Sequence, residues 1–206
     1  MNALVFWVLA CAQAQMLPRY VDELEDRVRT QIALYIQQAD HRAAHVLLEE
    51  YSNQIETSEA LLYDTALMFN KAQSIEDALS VYAQVLLINS AHRAALYDRS
   101  ELLLERGELE KAKQDLTKAL SVEVNWILHL RLAEIAAEEG DVFTFEQNLM
   151  RALASGMQPD QLLKFGEKWY IWSRHPQLGL AIKHVLILDA GAGGEHTWKR
   201  LQQPLR

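Results

Sequence analysis

Apolar residues fall along this chain at helical spacing, and the pattern repeats. Ala44, Leu48 and Tyr51 sit at i, i+4 and i+7, after an earlier apolar group of Ile32, Ala33, Tyr35 and Ile36. Such spacing turns one face of each segment toward a core and predicts a pair of helices. Two later stretches align without a gap: Leu62-Tyr63-Asp64 recurs as Leu96-Tyr97-Asp98, Ala78 as Ala112 and Leu86 as Leu120, each pair 34 residues apart. Gly107-Glu108-Leu109-Glu110-Lys111-Ala112 occupies the register of Gln73-Ser74-Ile75-Glu76-Asp77-Ala78. A period of that length holds two helices of about 14 residues with short turns.

Further units follow the same plan. One begins near Trp126, where Leu132-Ala133 and Ala136 precede Gly140-Asp141, and Leu149 with Ala152-Leu153 closes its second helix. Another starts at Pro159, with Phe165-Gly166-Glu167-Lys168-Trp169 in its first helix and Leu178, Ile182 and Val185-Leu186 in its second. An earlier unit spans about Glu25 to Ser58. These residues resemble the tetratricopeptide repeat (TPR) family, whose helix–turn–helix carries Leu-Gly-x-x-Tyr, an Ala, an aromatic and a terminal Pro. From Glu59 to His92 the matches are Ala66, Phe69, Ala78 and Tyr82, with Ser90 where Pro is usual; the next unit matches at Ser100, Leu103, Gly107, Ala112, Ala119 and Leu120. Phe145 stands where Ala is usual. The resemblance covers about Glu25 to Gly191. It implies an all-α, TPR-like helical-hairpin solenoid of about five repeats within residues 15–191, followed by a short tail, 192–206.

In that family the first helix of each unit lines a concave surface. Carried onto this sequence, the inward positions are Tyr63, Asp64, Leu67 and Lys71, then Tyr97, Asp98, Glu101 and Glu105, then Leu130, Glu134 and Glu138. The resemblance therefore implies a trough of Tyr and Leu beside carboxylates, suited to a basic, partly apolar segment of another protein. Family members that clamp a terminal carboxylate use Lys, Arg and Asn. Here Leu67, Glu101 and Glu134 stand where Asn would be wanted, so that clamp is not expected. The plainer alternative is that Tyr63 and Tyr97 pack between repeats while the acids only solvate the face.

The amino end carries a different signal. Ala3 to Ala14 holds no charge, and the first charge comes at Arg19. Such a stretch is too short to span a bilayer but fits the core of a secretory signal, and Ala12-Gln13-Ala14 supplies the small-x-small cleavage pattern. Residues 1–14 are thus expected to be a signal peptide, with the mature chain starting at Gln15 in the periplasm or otherwise exported. No Lys or Arg precedes the apolar run, and the alternative is a retained first helix in a cytoplasmic protein. Cys11, the only cysteine, follows Val8-Leu9-Ala10 much as a lipidated cysteine follows a lipoprotein signal. Contact with a membrane is expected only in that case.

Composition narrows the function. With 20 Lys and Arg against 28 Asp and Glu, the net charge of −8 disfavours nucleic acid as a partner. Only 8 Gly and 4 Pro leave little material for the tight turns of an all-β fold. His41, His45 and Glu49 share one helix face at metal-ligand spacing, yet no fourth ligand is visible and a solvated polar face explains them. His92, His129, His175, His184 and His196 show no nucleophile–base spacing. Leu188-Asp189-Ala190-Gly191-Ala192-Gly193-Gly194 superficially resembles a nucleoside-binding loop, but no doubly wound sheet precedes it, so a glycine-stopped helix is expected. Trp126, Trp169, Tyr170 and Trp172 read as packing residues rather than a ligand cage. The expectation is a non-catalytic adaptor without metal or cofactor; the rival is an enzyme with a site between repeats.

Overall fold

The computed structural model of the protein describes residues 17–53, 58–168 and 176–190. Ten helices lie among them: α1 Leu17–Gln37, α2 His41–Ser52, α3 Glu59–Lys71, α4 Ile75–Ile88, α5 Arg93–Glu105, α6 Leu109–Val122, α7 Trp126–Glu139, α8 Val142–Ala154, α9 Pro159–Lys168 and α10 Pro176–Ala190. No strand occurs among the described residues. The even-numbered helices begin 34, 34, 33 and 34 residues apart, so the predicted period and five helix pairs are present. Leu188 to Ala190 end α10, which leaves no strand for a nucleoside-binding loop. Residues 1–14 with Cys11, the Trp169, Tyr170 and Trp172 cluster, and the stretch from Gly191 through Trp198 lie outside the described residues. Among the described residues no helix is long and apolar enough to cross a membrane.

One turn geometry closes the first four hairpins. The chain leaves α1, α3, α5 and α7 through a residue of left-handed backbone: Ala39 (φ 58°), Gln73 (60°), Gly107 (73°) and Gly140 (73°). The following amide then reaches back to a carbonyl in the last turn of the helix. Asp40 N bonds Tyr35 O at 2.9 Å, Ser74 N bonds Phe69 O at 3.0 Å, and Glu108 N and Asp141 N bond Leu103 O and Ala136 O at 2.8 Å. Carbonyls that a helix end would leave unpaired are satisfied this way. Asp40 and Asp141 at once start the next helix, accepting from Ala43 N and Thr144 N at 3.0 Å.

The chain divides between Ser90 and Ala91 into two compact units. In the first, α1 packs on α2 and α3, and α3 on α4. Ile32, Ala44, Leu61, Phe69, Ala78 and Tyr82 are fully buried there. Glu25, also buried, accepts from the Ser58 amide at 3.3 Å, the Ser58 hydroxyl at 2.8 Å and the Tyr51 hydroxyl at 3.4 Å. Burial and the Glu25 carboxylate push the Tyr51 hydroxyl up to about 12.

In the second unit α5 packs on α6, α6 on α7, α7 on α8, and α10 on α8 and α9. Ala44, Ala78 and Ala112 occupy equivalent repeat positions and are fully buried, which lets paired helices approach closely. Phe145 takes the same position in α8. It is fully buried with its ring 6.4 Å from that of Phe165, so it reaches α9 where an alanine would fall short.

These turns predict opposite responses in the two units. A Cβ at Gly140 would meet nothing within 4 Å, so Gly140→Ala carries only the left-handed backbone penalty and should lower stability by about 1 kcal/mol. Gln73→Gly removes that penalty and should raise stability by up to about 1 kcal/mol, less the entropy glycine adds to the unfolded chain. Denaturant midpoints of both variants, at unchanged m-value, check the pair.

Candidate functional site

In the first unit the expected groove residues are largely occupied by neighbours within that unit. Asp64 pairs with Arg29 of α1 at 2.9 Å. Tyr63 is half-buried with its ring 6.2 Å from that of Tyr82. Leu67 is half-buried, and Lys71 is exposed at the end of α3.

The second unit gathers its residues along two helices. Tyr97, Glu101 and Glu105 stack at successive turns of α5; Ile127, Arg131, Glu134 and Glu138 share a face of α7. Arg131, which the sequence reading did not single out, joins them. Its Nη2 donates to Glu101 Oε2 and its Nη1 to Glu134 Oε2, both at 2.6 Å, and the Tyr97 hydroxyl accepts a further bond from it. Burial opposes the guanidinium's charge, but the two carboxylates outweigh it and hold the Arg131 proton more tightly than usual. Glu101 moves against its partner. Burial pushes its carboxyl up, Arg131 pulls it down, and the neighbouring Glu134 and Asp98 push it up again, for a net rise. One guanidinium serves several carboxylates, and Glu134 keeps only 6% of its side chain exposed.

Glu105 and Glu138 stand one turn beyond Glu101 and Glu134, are exposed, and form no ion pair among the described residues. Leu130, expected on the trough, is half-buried and packs against the apolar core of this unit. Toward the first turns of α5 and α7 a cavity of about 260 Å³ opens, with Ala94, Tyr97, Ile127 and Leu128 among its walls.

The histidines expected on a solvated face have partners that the sequence reading missed. His41 Nδ1 lies 2.9 Å from Asp77 Oδ2 and His45 Nε2 lies 2.8 Å from Asp77 Oδ1. Ser74 donates to Asp77 at 2.5 Å, and the His45 ring stacks on Phe69 at 4.9 Å. Burial raises the Asp77 carboxyl, but the bonds from Ser74, His45 and His41 outweigh it and hold it below the usual range. Ser74 and Asp77 meet the same nitrogen of His41, so this is not the relay in which the two ring nitrogens serve hydroxyl and carboxylate separately. No group of His, Cys, Asp and Glu able to hold a metal occurs among the described residues. His184, for which no carboxylate was expected, pairs with Glu146. His92 caps α5 by accepting from Ala95 N at 3.0 Å, and His129 is buried against α8 near Asn148. His175 and His196 lie outside the described residues.

Glu101 gives the site a pH signature. A carboxyl held above its unfolded value, about 4.3, contributes most to stability below that pH, and the contribution is lost as pH rises through the folded value. Glu101→Gln should therefore flatten the stability profile above about pH 4.3 and leave the protein at least as stable at pH 7. Arg131→Ala should instead lower stability at pH 7 by about 2 kcal/mol or more, because it strands two desolvated carboxylates. Urea titrations across pH for both variants measure this.

No protein-family model matches the chain, and no curated protein sequence does. Three solved structures share its fold. MamA RS-1, as an ArsTM double mutant, superposes with a TM-score of 0.56 at 13% identity, over 82% of this chain and 96% of that one. The pilF protein of Pseudomonas aeruginosa gives 0.52 at 18% identity, over 89% and 94%. BtubC (BKLC) from P. vanneervenii gives 0.56 at 13% identity, over 100% and 96%. These neighbours are TPR-containing proteins, and with five helix pairs among its described residues the chain has the same TPR-like helical-hairpin fold.

Proposed function

We propose that the protein is a non-catalytic scaffold that holds a segment of another protein on the α5–α7 face of its second unit. The observation that carries this reading is the accessible cavity beside a fixed ion-pair network. Ala94 and Ile127 are exposed on its wall, while Arg131, oriented by Glu134 on its own helix, links α7 to Glu101 of α5. Tyr97 adds a ring already anchored through its hydroxyl, which loses little entropy on binding. Glu105 and Glu138, which form no ion pair among the described residues, favour a basic, partly apolar segment.

A photoreactive residue at position 127 should crosslink a partner protein, while the same residue at the exposed Lys118 of α6 should not. Tyr97→Ala should weaken that partner by about 1 to 2 kcal/mol, mainly through faster dissociation. Thermal melts must first show the variant folded, since Tyr97 also supports Arg131. A partner that crosslinks only at position 118 would move the site away from this face.

The reading extends to an exported protein, supported by the uncharged run Ala3 to Ala14 and the Ala12-Gln13-Ala14 pattern. Amino-terminal sequencing of protein from its native host should then begin at Gln15. A lipid-modified Cys11 as first residue would establish the lipoprotein variant, and an intact Met1 would exclude both.

A further inference from the structure

The cavity at the first turns of α5 and α7 is built for carbon. Ala94, Tyr97, Ile127 and Leu128 line it. Its four polar lining groups all have partners: Arg93 pairs with Glu123 at 3.3 Å, Asn125 Oδ1 accepts from Ile127 N at 2.9 Å, the Tyr97 hydroxyl accepts from Arg131, and Asp98 has its own interactions within the protein. A polar ligand would have to compete with these existing bonds, whereas an apolar side chain sheds its hydration at no such loss. About 260 Å³ is below the range of pockets that enclose drug-sized molecules, and suits a single large side chain. Val124, 65% exposed and next to Asn125 in the chain, adds apolar surface beside that stretch.

The face is acidic along its length, but its middle already holds a paired cation. Arg131 occupies the middle, already claimed by Glu101 and Glu134. A basic side chain arriving there would face a guanidinium or have to displace it. One turn further on, Glu105 and Glu138 have no ion pair among the described residues. Tyr97 and Glu105 are eight residues apart in α5, which is about 12 Å of helix and the reach of about three to four extended residues.

Resting on the scaffold reading above, we propose that the bound segment places one large apolar side chain in this cavity and a Lys or Arg three or four residues away against Glu105 and Glu138, with no basic residue between them. Charge complementarity selects a segment of another protein over an acidic ligand, and Arg131 sets where along the segment the charge must fall.

Fluorescent peptides built on Phe-Gly-Ser-Ser-Lys test this against the full chain. Four relatives accompany it: Phe replaced by Ser, Lys replaced by Ser, Lys replaced by Glu, and the central Ser replaced by Lys. The parent should bind tightest in anisotropy titrations. Ala94→Phe fills the cavity from an exposed position without entering the core, and should weaken the parent about tenfold or more. Glu105→Gln with Glu138→Gln should weaken it about three- to tenfold at low salt and flatten its salt dependence.

Equal binding by the Glu peptide, tighter binding by the central-Lys peptide, or indifference to Ala94→Phe in folded protein would overturn the proposal. So would a dimer of the unliganded chain that Ala94→Phe dissociates in sedimentation, because the occupant would then be a second copy. If a partner crosslinks at position 127 but no parent peptide binds, this segment chemistry is wrong while the scaffold reading stands. If neither occurs, both fall.

Discussion

A helix that ends must find partners for its last carbonyls, and in this chain that requirement sets the repeat. Ala39, Gln73, Gly107 and Gly140 each take the left-handed backbone that lets the next amide fold back onto the helix just completed. The recurrence of that turn every 33 or 34 residues brings the small residues Ala44, Ala78 and Ala112 to equivalent buried positions. It also sets Tyr97, Glu101 and Glu105 of α5 in a file, with Arg131, Glu134 and Glu138 along α7. The alignment of this face is thus a by-product of closing hairpins at a fixed period.

Arginine then links first helices of successive hairpins in both units. Arg29 of α1 reaches Asp64 of α3, and Arg131 of α7 reaches Glu101 of α5. The two cases differ in surroundings. Asp64 keeps 41% of its side chain exposed, whereas Arg131, Glu101 and Glu134 crowd into a largely covered cluster where one positive charge serves several negative ones. Burial in that cluster is what drives Glu101 up while Arg131 stays charged. The link between α5 and α7 therefore comes with an electrostatic imbalance, and the carboxylates at the far end of the face, Glu105 and Glu138, form no ion pair among the described residues.

The fold was legible because repetition amplifies weak signals. Ala78 and Ala112, or Leu62-Tyr63-Asp64 and Leu96-Tyr97-Asp98, say little singly and much at a shared 34-residue offset. The site was legible only in outline. Tyr97, Glu101 and Glu134 could be placed on the face by register, but which acids are neutralised depends on Arg131, whose partner Glu101 lies 30 residues away in another helix. Asp77 escaped for the same reason, lying 36 and 32 residues from the two imidazoles it joins. Leu130 shows the other limit. A repeat position fixes the backbone, while an apolar side chain on it turns to the nearest core.

The local closure of each turn also bears on how the chain reaches its fold. A bond from Asp141 to Ala136 or from Glu108 to Leu103 spans five residues, and the helices it joins are neighbours in sequence. Little chain entropy is spent in bringing such partners together, so the search is short and relative contact order stays low. Each hairpin can serve as a nucleus from which its neighbours zip on, and fraying should begin at the outermost pairs rather than sweep through the whole chain at once. Gly107 and Gly140 reach the turn conformation without a Cβ penalty, whereas Ala39 and Gln73 must pass through a disfavoured one, so nucleation is biased toward the hairpins of the carboxyl-terminal unit.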